Sequence, residues 1–356
     1  MANTRESELH YPLGDALPEP GGVLDVAPGV RWVRMGLPFA LDHINLWLLR
    51  DEVDAVDGGK TQGWTIVDSG VSNDATREHW ESVFAKHLDG LPVLRVIVTH
   101  FHPDHMGLAA WLTSKWNCRL WMSATDFNLA RLASGSTQGF GGETAASFFA
   151  SHGLTDEESL AKIRGRASYY PSMVPTVPAS FRRIMDGTLI RIGGHDWRCI
   201  AGYGHAPEHI SLHCEELGIL ISGDMVLPRI STNVSVVDVE PEADPLTLYL
   251  DSIARMLTLP ADTLVLPSHG KPFRGLHARA DQLREHHDER LADVLDACAE
   301  KPCHAAGLLD LLFKRKLDLH QTTFAMGESI AHLNLLWLDG RLKRRVDDGV
   351  HRFEPA

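Results

Sequence analysis

The chain has 356 residues, with 34 lysines and arginines against 47 aspartates and glutamates, a formal charge of −13 at pH 7. At 44% hydrophobic and 23% charged it has the balance of a globular protein with a sizeable core, in one large domain or two smaller ones. No apolar run approaches the roughly 18–20 residues of a membrane helix, and the start MANTRESELHYPLGDALPEPGG lacks a secretory apolar segment, so a cytoplasmic protein with no membrane partner is the expectation.

In chain order, the first 24 residues form a polar, turn-rich N-terminal extension. β-like runs follow at Val30–Arg34, Ile44–Leu49 and Trp64–Val67, the last ending in Asp68-Ser69-Gly70, and Pro92 opens another over Leu94–Val98. Gly107–Trp116 reads as a helix and Arg119–Met122 as a strand. Residues 126–181, rich in Ala, Ser and Gly, read as a helical cap beside a strand end. Its stretch Ser136–Glu143 lacks the Lys-Ser/Thr of a phosphate loop. Its aromatic and basic residues (Phe140, Phe148, Phe149, Tyr169, Tyr170, Arg182, Arg183) either line a substrate pocket or pack the cap itself.

A second β series runs through Leu189–Ile192, Trp197–Ala201, Ile210–Cys214, Leu217–Ile221 and Thr263–Pro267. Two β-rich halves separated by helices predict two sheets packed face to face with helices outside. From residue 277 the chain changes character: a charged helix to about Glu300, helical patterns at Ala305–Phe313 and Thr322–Leu338, then a hairpin, together resembling a winged-helix module. His286-His287 is expected to be exposed on the charged helix. From Lys271 onward basic and acidic residues balance, so all the excess acid falls on the first 270 residues. That argues against a broad phosphate-binding surface on the main body. Cys118, Cys199, Cys214, Cys298 and Cys303 are scattered without a CxxC pair and are expected as reduced thiols.

The stretch THFHPDHMGLA at 99–109 places His100, His102, Asp104 and His105 directly after an apolar strand. Imidazole and carboxylate are zinc ligands, and a catalytic zinc keeps a position open for water. In an extended segment His100 and His102 point the same way, with Asp104 and His105 at the following turn. His205, Asp224 and His269 each lie just beyond a further apolar run, where loops collect at one edge of a sheet system.

His100-x-His102-x-Asp104-His105, then His205, Asp224 and His269, preceded by Val67-Asp68-Ser69-Gly70, resemble the motif series of the metallo-β-lactamase-fold hydrolases over roughly residues 25–272. The resemblance implies an α/β fold, a four-layer αββα sandwich at 25–276 carrying the 126–181 cap, with a winged-helix-like helical domain at 277–356. That tail is similar to the one in the subgroup with the mitochondrial β-lactamase-like endoribonuclease, through Gly327-Glu328, Ala331-His332-Leu333 and Gly340-Arg341. Carried over by position, His100, His102 and His205 would hold one zinc, and Asp104, His105 and His269 a second, with Asp224 bridging. Asp68 would orient the cluster. The implied cofactor is two zinc ions per chain, iron or manganese being substitutes. His102 stands where di-iron flavoprotein relatives have Glu, and true β-lactamases of this fold lack the bridging Asp. Where many relatives read His-Ser/Thr-Pro-Gly-His, this chain has His205-Ala206-Pro207-Glu208-His209. His209 is read as a supporting residue.

Three functions compete. The first is hydrolysis of a small ester, thioester or lactone, close to the glyoxalase II-like branch, with Asp104 managing a proton and Tyr169, Tyr170, Arg229 and Asn233 near the substrate. The second is a single-strand endoribonuclease using Lys314-Arg315-Lys316 and Arg341-Lys343-Arg344-Arg345. The third is a non-enzymatic zinc protein that forms a homodimer through the leucine-rich tail. His43 and Asn45 begin a strand that borders the site in each case.

Overall fold

The structure is a computed structural model that describes residues 4–55, 58–135, 141–314 and 316–356, with backbone alone at 319 and 320. Phe140 and Arg315 therefore lie outside the described residues, as do Ser136 to Gly139. The first sheet contains β1 (Leu24–Ala27), β2 (Val30–Gly36), β3 (His43–Asp54), β4 (Lys60–Val67), β5 (Val93–Ile97), β6 (Arg119–Met122) and β7 (Phe181–Arg183). They lie side by side in chain order, antiparallel up to β4 and parallel beyond it. Helix α1 (Asp74–His87) links β4 to β5, and α2 (Pro103–Met106) with α3 (Ala109–Trp116) links β5 to β6. Between β6 and β7 the cap is α4 (Ala124–Gly135), α5 (Gly142–Ser151), α6 (Glu157–Arg164) and α7 (Tyr169–Met173).

The second sheet holds β8 (Leu189–Ile192), β9 (His195–Gly202), β10 (His209–Cys214), β11 (Ile219–Gly223) and β12 (Leu264–Pro267), with α8 (Pro245–Met256) crossing from β11 to β12. Its spatial order is β12-β11-β10-β9-β8, and β11 and β12 are the parallel pair. The tail is α9 (Leu276–Glu300), a tight turn at Ala305–Leu308 running into α10 (Leu309–Leu312), α11 (Leu319–Leu338), and the hairpin of β13 (Leu342–Asp347) and β14 (Val350–Pro355).

The apolar runs are near-continuous because each sheet is covered on both faces. Alternation divides each run between two cores. Ile219, Ile221, Leu264 and Leu266 point between the sheets, against Trp32, Trp47 and Ile97. Leu220 and Val265 point outward to Tyr249, Ile253 and Leu276. On the other side Val96 and Leu120 meet Trp80, Val83 and Leu112. This makes four layers, helix–sheet–sheet–helix. Helix starts are set by side chains: Asn73 accepts from Thr76 N at 2.7 Å, Asp244 from Thr247 N at 3.0 Å, and Asp318 with Gln321 forms a capping box.

Several expectations change. The helix expected at Gly107–Trp116 is α3, which starts two residues later at Ala109; Gly107 lies between it and α2 and presses on the turn after β4, where a Cβ would lie 2.6 Å from both Gly70 O and Ser72 N. Residues 181–183, expected at the cap boundary and pocket, instead extend the first sheet as β7. Phe148 and Phe149 pack into the core. His287 is buried rather than exposed, its Nδ1 3.3 Å from His332 Nε2 where α9 crosses α11. Of the tail residues named for the dimer reading, Leu308, Leu312, Leu333, Leu335 and Leu336 are buried inside the chain itself, whereas Leu338 is 50% exposed. All five cysteines are free thiols. Among the described residues no helix is long and apolar enough to cross a membrane.

Asn45 joins the sheets where β3 meets the end of β12. Its Nδ2 donates to Pro267 O and Gly270 O, both at 2.8 Å, and its backbone N donates to Ser268 O at 2.7 Å. Asn45→Ala leaves these carbonyls short of a donor and is expected to cost about 2 kcal/mol, read as a lower urea midpoint with an unchanged m-value.

Candidate metal centre

Five loops that follow strand ends meet at one seam of the sandwich. The loop after β4 brings Asp68, that after β5 brings His100 to His105, and those after β9, β11 and β12 bring His205, Asp224 and His269. The His100–His105 segment changes from strand to helix part-way. His100 and His102 sit on its extended portion, and Pro103 starts α2, whose first turn carries Asp104 and His105.

The facing atoms form two groups. His100 Nε2, His102 Nδ1 and His205 Nε2 make a triangle with sides of 2.9, 3.1 and 3.2 Å. Asp104 Oδ2 lies 3.6 Å from His105 Nε2 and 3.4 Å from His269 Nε2. Asp224 spans both groups, its Oδ2 being 3.4 Å from His205 Nε2 and 3.5 Å from His269 Nε2, and its Oδ1 3.4 Å from His105 Nε2. A tetrahedral zinc with bonds of about 2.0–2.1 Å has ligand-to-ligand edges of about 3.3–3.4 Å; the 3.4–3.6 Å separations around Asp104 and Asp224 are close to that, and the 2.9–3.2 Å sides of the histidine triangle are shorter. Among the described residues, the buried atoms His105 Nε2 and Asp224 Oδ1 have no hydrogen-bond partner. A divalent cation is the partner such atoms lack.

The far side of the imidazoles is fixed. His205 Nδ1 donates to Asn233 O and His269 Nδ1 to His43 O, each at 2.7 Å. A carbonyl can only accept, so these bonds hold the Nδ1 proton of each ring and reserve Nε2, in the neutral imidazole, as the lone pair that faces inward. His105 Nδ1 meets Asp68 Oδ2 at 2.8 Å, and Asp68 also accepts from Thr99 N at 2.8 Å and from Thr99 Oγ1. Asp68 reaches this position with a left-handed φ of 63°.

Electrostatics divide the centre. Burial and the neighbouring imidazoles hold His100 well below its usual pKa, and burial with His205 takes His102 down to about 3. Burial also pulls on His105 and His269, but the carboxylates outweigh it. Asp68, Asp104 and Asp224 lift His105 well above the usual value, and Asp224 with Asp104 lifts His269 to about 10. Without metal, protons on these two imidazoles neutralise the buried carboxylates.

His209 is buried beside the centre without facing it; its Nε2 accepts from Asp224 N at 3.2 Å. Tyr170, expected near substrate, is fully buried and donates from its hydroxyl to Phe101 O at 2.6 Å, so it props the ligand loop instead. Tyr169 is half-buried with the Arg166 guanidinium 4.2 Å above its ring; burial and the nearby Asp104 charge raise its pKa to about 12. Arg229, also expected near substrate, is exposed and paired with Glu6 at 3.1 Å. Asn233 acts through its backbone carbonyl on His205, while its side chain takes up Ser235 Oγ at 2.8 Å. His43 and Asn45 border the site as expected.

Sequence reasoning missed Asp126. Buried on α4, it accepts from Phe101 N at 2.9 Å and Glu208 N at 2.8 Å, and so ties the His100–His105 loop to the His205 loop. Burial lifts its pKa to about 6. The start of α4, just beyond a strand end, was the available signal.

Two outcomes follow. Loading metal at neutral pH displaces protons from His105 and His269, so it releases about two protons per chain. Affinity therefore climbs with pH toward the His269 value of about 10, as titration in weakly buffered indicator solution will read. Asp68→Asn loosens His105 and is expected to weaken metal binding about 10–100-fold, measured by chelator competition.

Residues 39–269 match the metallo-beta-lactamase superfamily, and residues 291–356 match the metallo-beta-lactamase-like C-terminal domain. A beta-lactamase domain protein from Burkholderia ambifaria has a crystal structure that is 57% identical, with a TM-score of 0.93 over 99% of this chain and 100% of that one. A metallo-beta-lactamase family protein from Thermus thermophilus is 26% identical, with a TM-score of 0.77 over 93% of this chain and 100% of that one. In sequence, "Probable metallo-hydrolase YqjP" of Bacillus subtilis (strain 168) is 25% identical over 85% of this chain and 91% of its own length. With a complete cluster of imidazole and carboxylate ligands at the strand ends, the chain belongs to the metallo-beta-lactamase superfamily as a metal-dependent hydrolase.

Proposed function

We propose that the protein is a dinuclear zinc hydrolase acting on a small ester, thioester or lactone. One observation carries the dinuclear part: Asp224 lies 3.4–3.5 Å from ligand atoms of both groups, as a bridging carboxylate must. His100, His102 and His205 would hold one ion, Asp104, His105 and His269 the other. The donor set of imidazole and carboxylate without thiolate suits zinc. When bound, the pair supplies Lewis acidity and lowers the pKa of water toward neutrality.

The chain's own residues orient the chemistry. Asp68, Asn233 O and His43 O hold the outer imidazole protons, so each ring presents a lone pair in a fixed direction. Among the cluster's carboxylates Asp104 is the most open, its side chain 18% exposed against 10% for Asp224. It is the carboxylate placed to take a proton from the attacking water and return it to the leaving group. Tyr169, on the cap beside α2, is the candidate substrate wall.

A compact substrate is favoured over RNA by how the tail is used. Helix α11 holds the loop that fixes His205: Val236 N donates to Gly327 O at 3.1 Å, and Asn233 Nδ2 to Glu328 Oε2 at 3.5 Å. Across the cap, Arg166 Nη1 donates to Thr323 Oγ1 at 3.3 Å. The hairpin cations have acidic partners: Arg344 pairs with Glu242, Arg341 with Asp339, and Arg345 with Asp347 and Glu354. In this reading the tail completes the site wall and is no nucleic-acid arm.

The test is parallel turnover of acyl thioesters, lactones and single-stranded RNA by zinc-loaded protein, with metal counted per chain. Two zinc ions and turnover of a thioester or lactone are expected, lost on chelation. His102→Ala or Asp224→Ala is expected to lower the metal count and cut turnover by at least about 10³-fold. Full activity with one ion per chain would falsify the dinuclear reading. RNA cleavage lost on reversing Arg344 and Arg345 would move the substrate to nucleic acid.

A further inference from the structure

Cap and tail, which reach the metal centre from different sides, meet each other at Arg166. On the cap side Tyr170 donates to Phe101 O, between the ligands His100 and His102. Its neighbour Tyr169 is the residue of α7 that senses the metal ligands. Burial raises the Tyr169 hydroxyl to a pKa of about 12, with Arg166 pulling it down and Asp104 pushing it up, so the phenol feels both charges. On the tail side, α11 packs along the loop whose Asn233 O holds His205, through Gly327 O and Glu328. Thr323 lies about one turn before Gly327 on that helix.

Arg166 spans the two sides. Its guanidinium carbon sits 4.2 Å from the centre of the Tyr169 ring, and its Nη1 donates to Thr323 Oγ1 at 3.3 Å. The backbone beneath it is fixed as well. Arg166 N donates to Ile163 O at 3.0 Å, and Arg166 O accepts from Tyr169 N at 2.9 Å. Gly141 packs so closely that a Cβ there would lie 2.6 Å from Arg166 O. Arg164, two residues earlier, is held differently, by the carboxylates of Glu143 at 3.0 Å and Glu157 at 2.7 Å. A tyrosine ring and a threonine hydroxyl orient the charge of Arg166 without neutralising it. In a chain of net charge −13, a half-buried guanidinium fixed at this wall offers an anion a local attraction that the body as a whole does not.

We infer that Arg166 is a specificity-determining residue that takes up a carboxylate carried by the substrate, so that the preferred ester, thioester or lactone is an anionic one; this rests on the ester-hydrolase reading proposed above. A guanidinium fork matches the paired oxygens of a carboxylate. The Tyr169 ring fixes the plane of that fork. With its carboxylate at the seam of cap and tail, such a substrate extends past Tyr169 toward Asp104.

The experiment compares the monomethyl esters of succinic, glutaric and adipic acid with their dimethyl esters on zinc-loaded full-length protein, with acid release followed in a pH-stat. At least one monoester is expected to exceed its dimethyl counterpart about tenfold in kcat/KM, chiefly through KM, and by less as salt is raised. Arg166→Gln is expected to shrink that preference to about twofold or less, and Arg166→Lys, which keeps the charge and loses the fork, to leave it intermediate. A readout without turnover is ligand-observed NMR titration of the same proteins with the monoamides of the three acids against the neutral diamides. The monoamide is expected to bind more tightly, and to lose that advantage in Arg166→Gln. Arg166-dependent monoamide binding without turnover of any ester would sink the ester reading and keep the anion site. Turnover of mono- and dimethyl esters at equal kcat/KM, a preference untouched in both Arg166 variants, or equal binding of monoamide and diamide each overturns the role of Arg166 and spares the ester reading.

Discussion

The buried carboxylate of Asp224 sets the terms for the rest of the structure. With Asp68 and Asp104 it places negative charge where water cannot screen it, a cost of several kcal/mol per ion unless a cation is supplied. The metal-free chain meets this demand with protons on His105 and His269, whose pKa values the carboxylates lift against burial. His100 and His102 are driven the opposite way, since burial and neighbouring imidazoles leave no reason to carry a proton. One half of the centre is therefore already in its metal-binding form, and the other exchanges protons for metal.

Holding such a charge arrangement requires rigid supports, and the two sheets provide them. Each ligand lies in a loop or turn that follows a buried strand, Asp224 and His269 within two residues of its last position and the others three to eight residues beyond it. Asn45 pins the end of β12 to β3, and Asp126 pins the loop after β5 to the loop after β9. The tail adds α11 behind Asn233, so the residue that orients His205 is itself held from the C-terminal side. Sheet, cap and tail converge on the same few imidazoles.

That arrangement explains which parts could be read from sequence. The ligands were legible because each directly follows an apolar run, and alternation alone places His100 and His102 on one side. Strand positions such as Arg119–Met122 and Leu189–Ile192 were legible for the same reason, being short, apolar and bounded by turns. Asp126 was not, because its role exists only through the nearness of residues 101 and 208. Tyr170 reads from sequence as a pocket aromatic, and only the fold reveals that its hydroxyl meets a backbone carbonyl. Arg229 and Arg182 fail likewise: a long cation's partner is a tertiary matter, and here Glu6 and Trp121 claim them. The close packing of Gly107 depends on a turn thirty-odd residues earlier in the chain.

The segment His205-Ala206-Pro207-Glu208-His209 shows how finely the fold separates a ligand from a support. Both histidines are close to the centre, and sequence alone offers either. His205 spends its Nδ1 proton on Asn233 O and so turns a free lone pair inward. His209 spends its Nε2 lone pair on the N–H of Asp224, and Gly223 makes this contact possible: with φ at 55°, a Cβ there would collide with the ring. Glu208, which stands where many relatives have glycine, brings no charge to the metals. Its carboxylate accepts from Thr125 Oγ1 at 2.8 Å and its N–H goes to Asp126, so both ends are committed to the cap. Only the Thr125 contact depends on the Glu208 side chain, since a glycine there would offer Asp126 the same N–H. His209, kept neutral by burial, fixes the backbone of Asp224, the residue on which both metal groups depend.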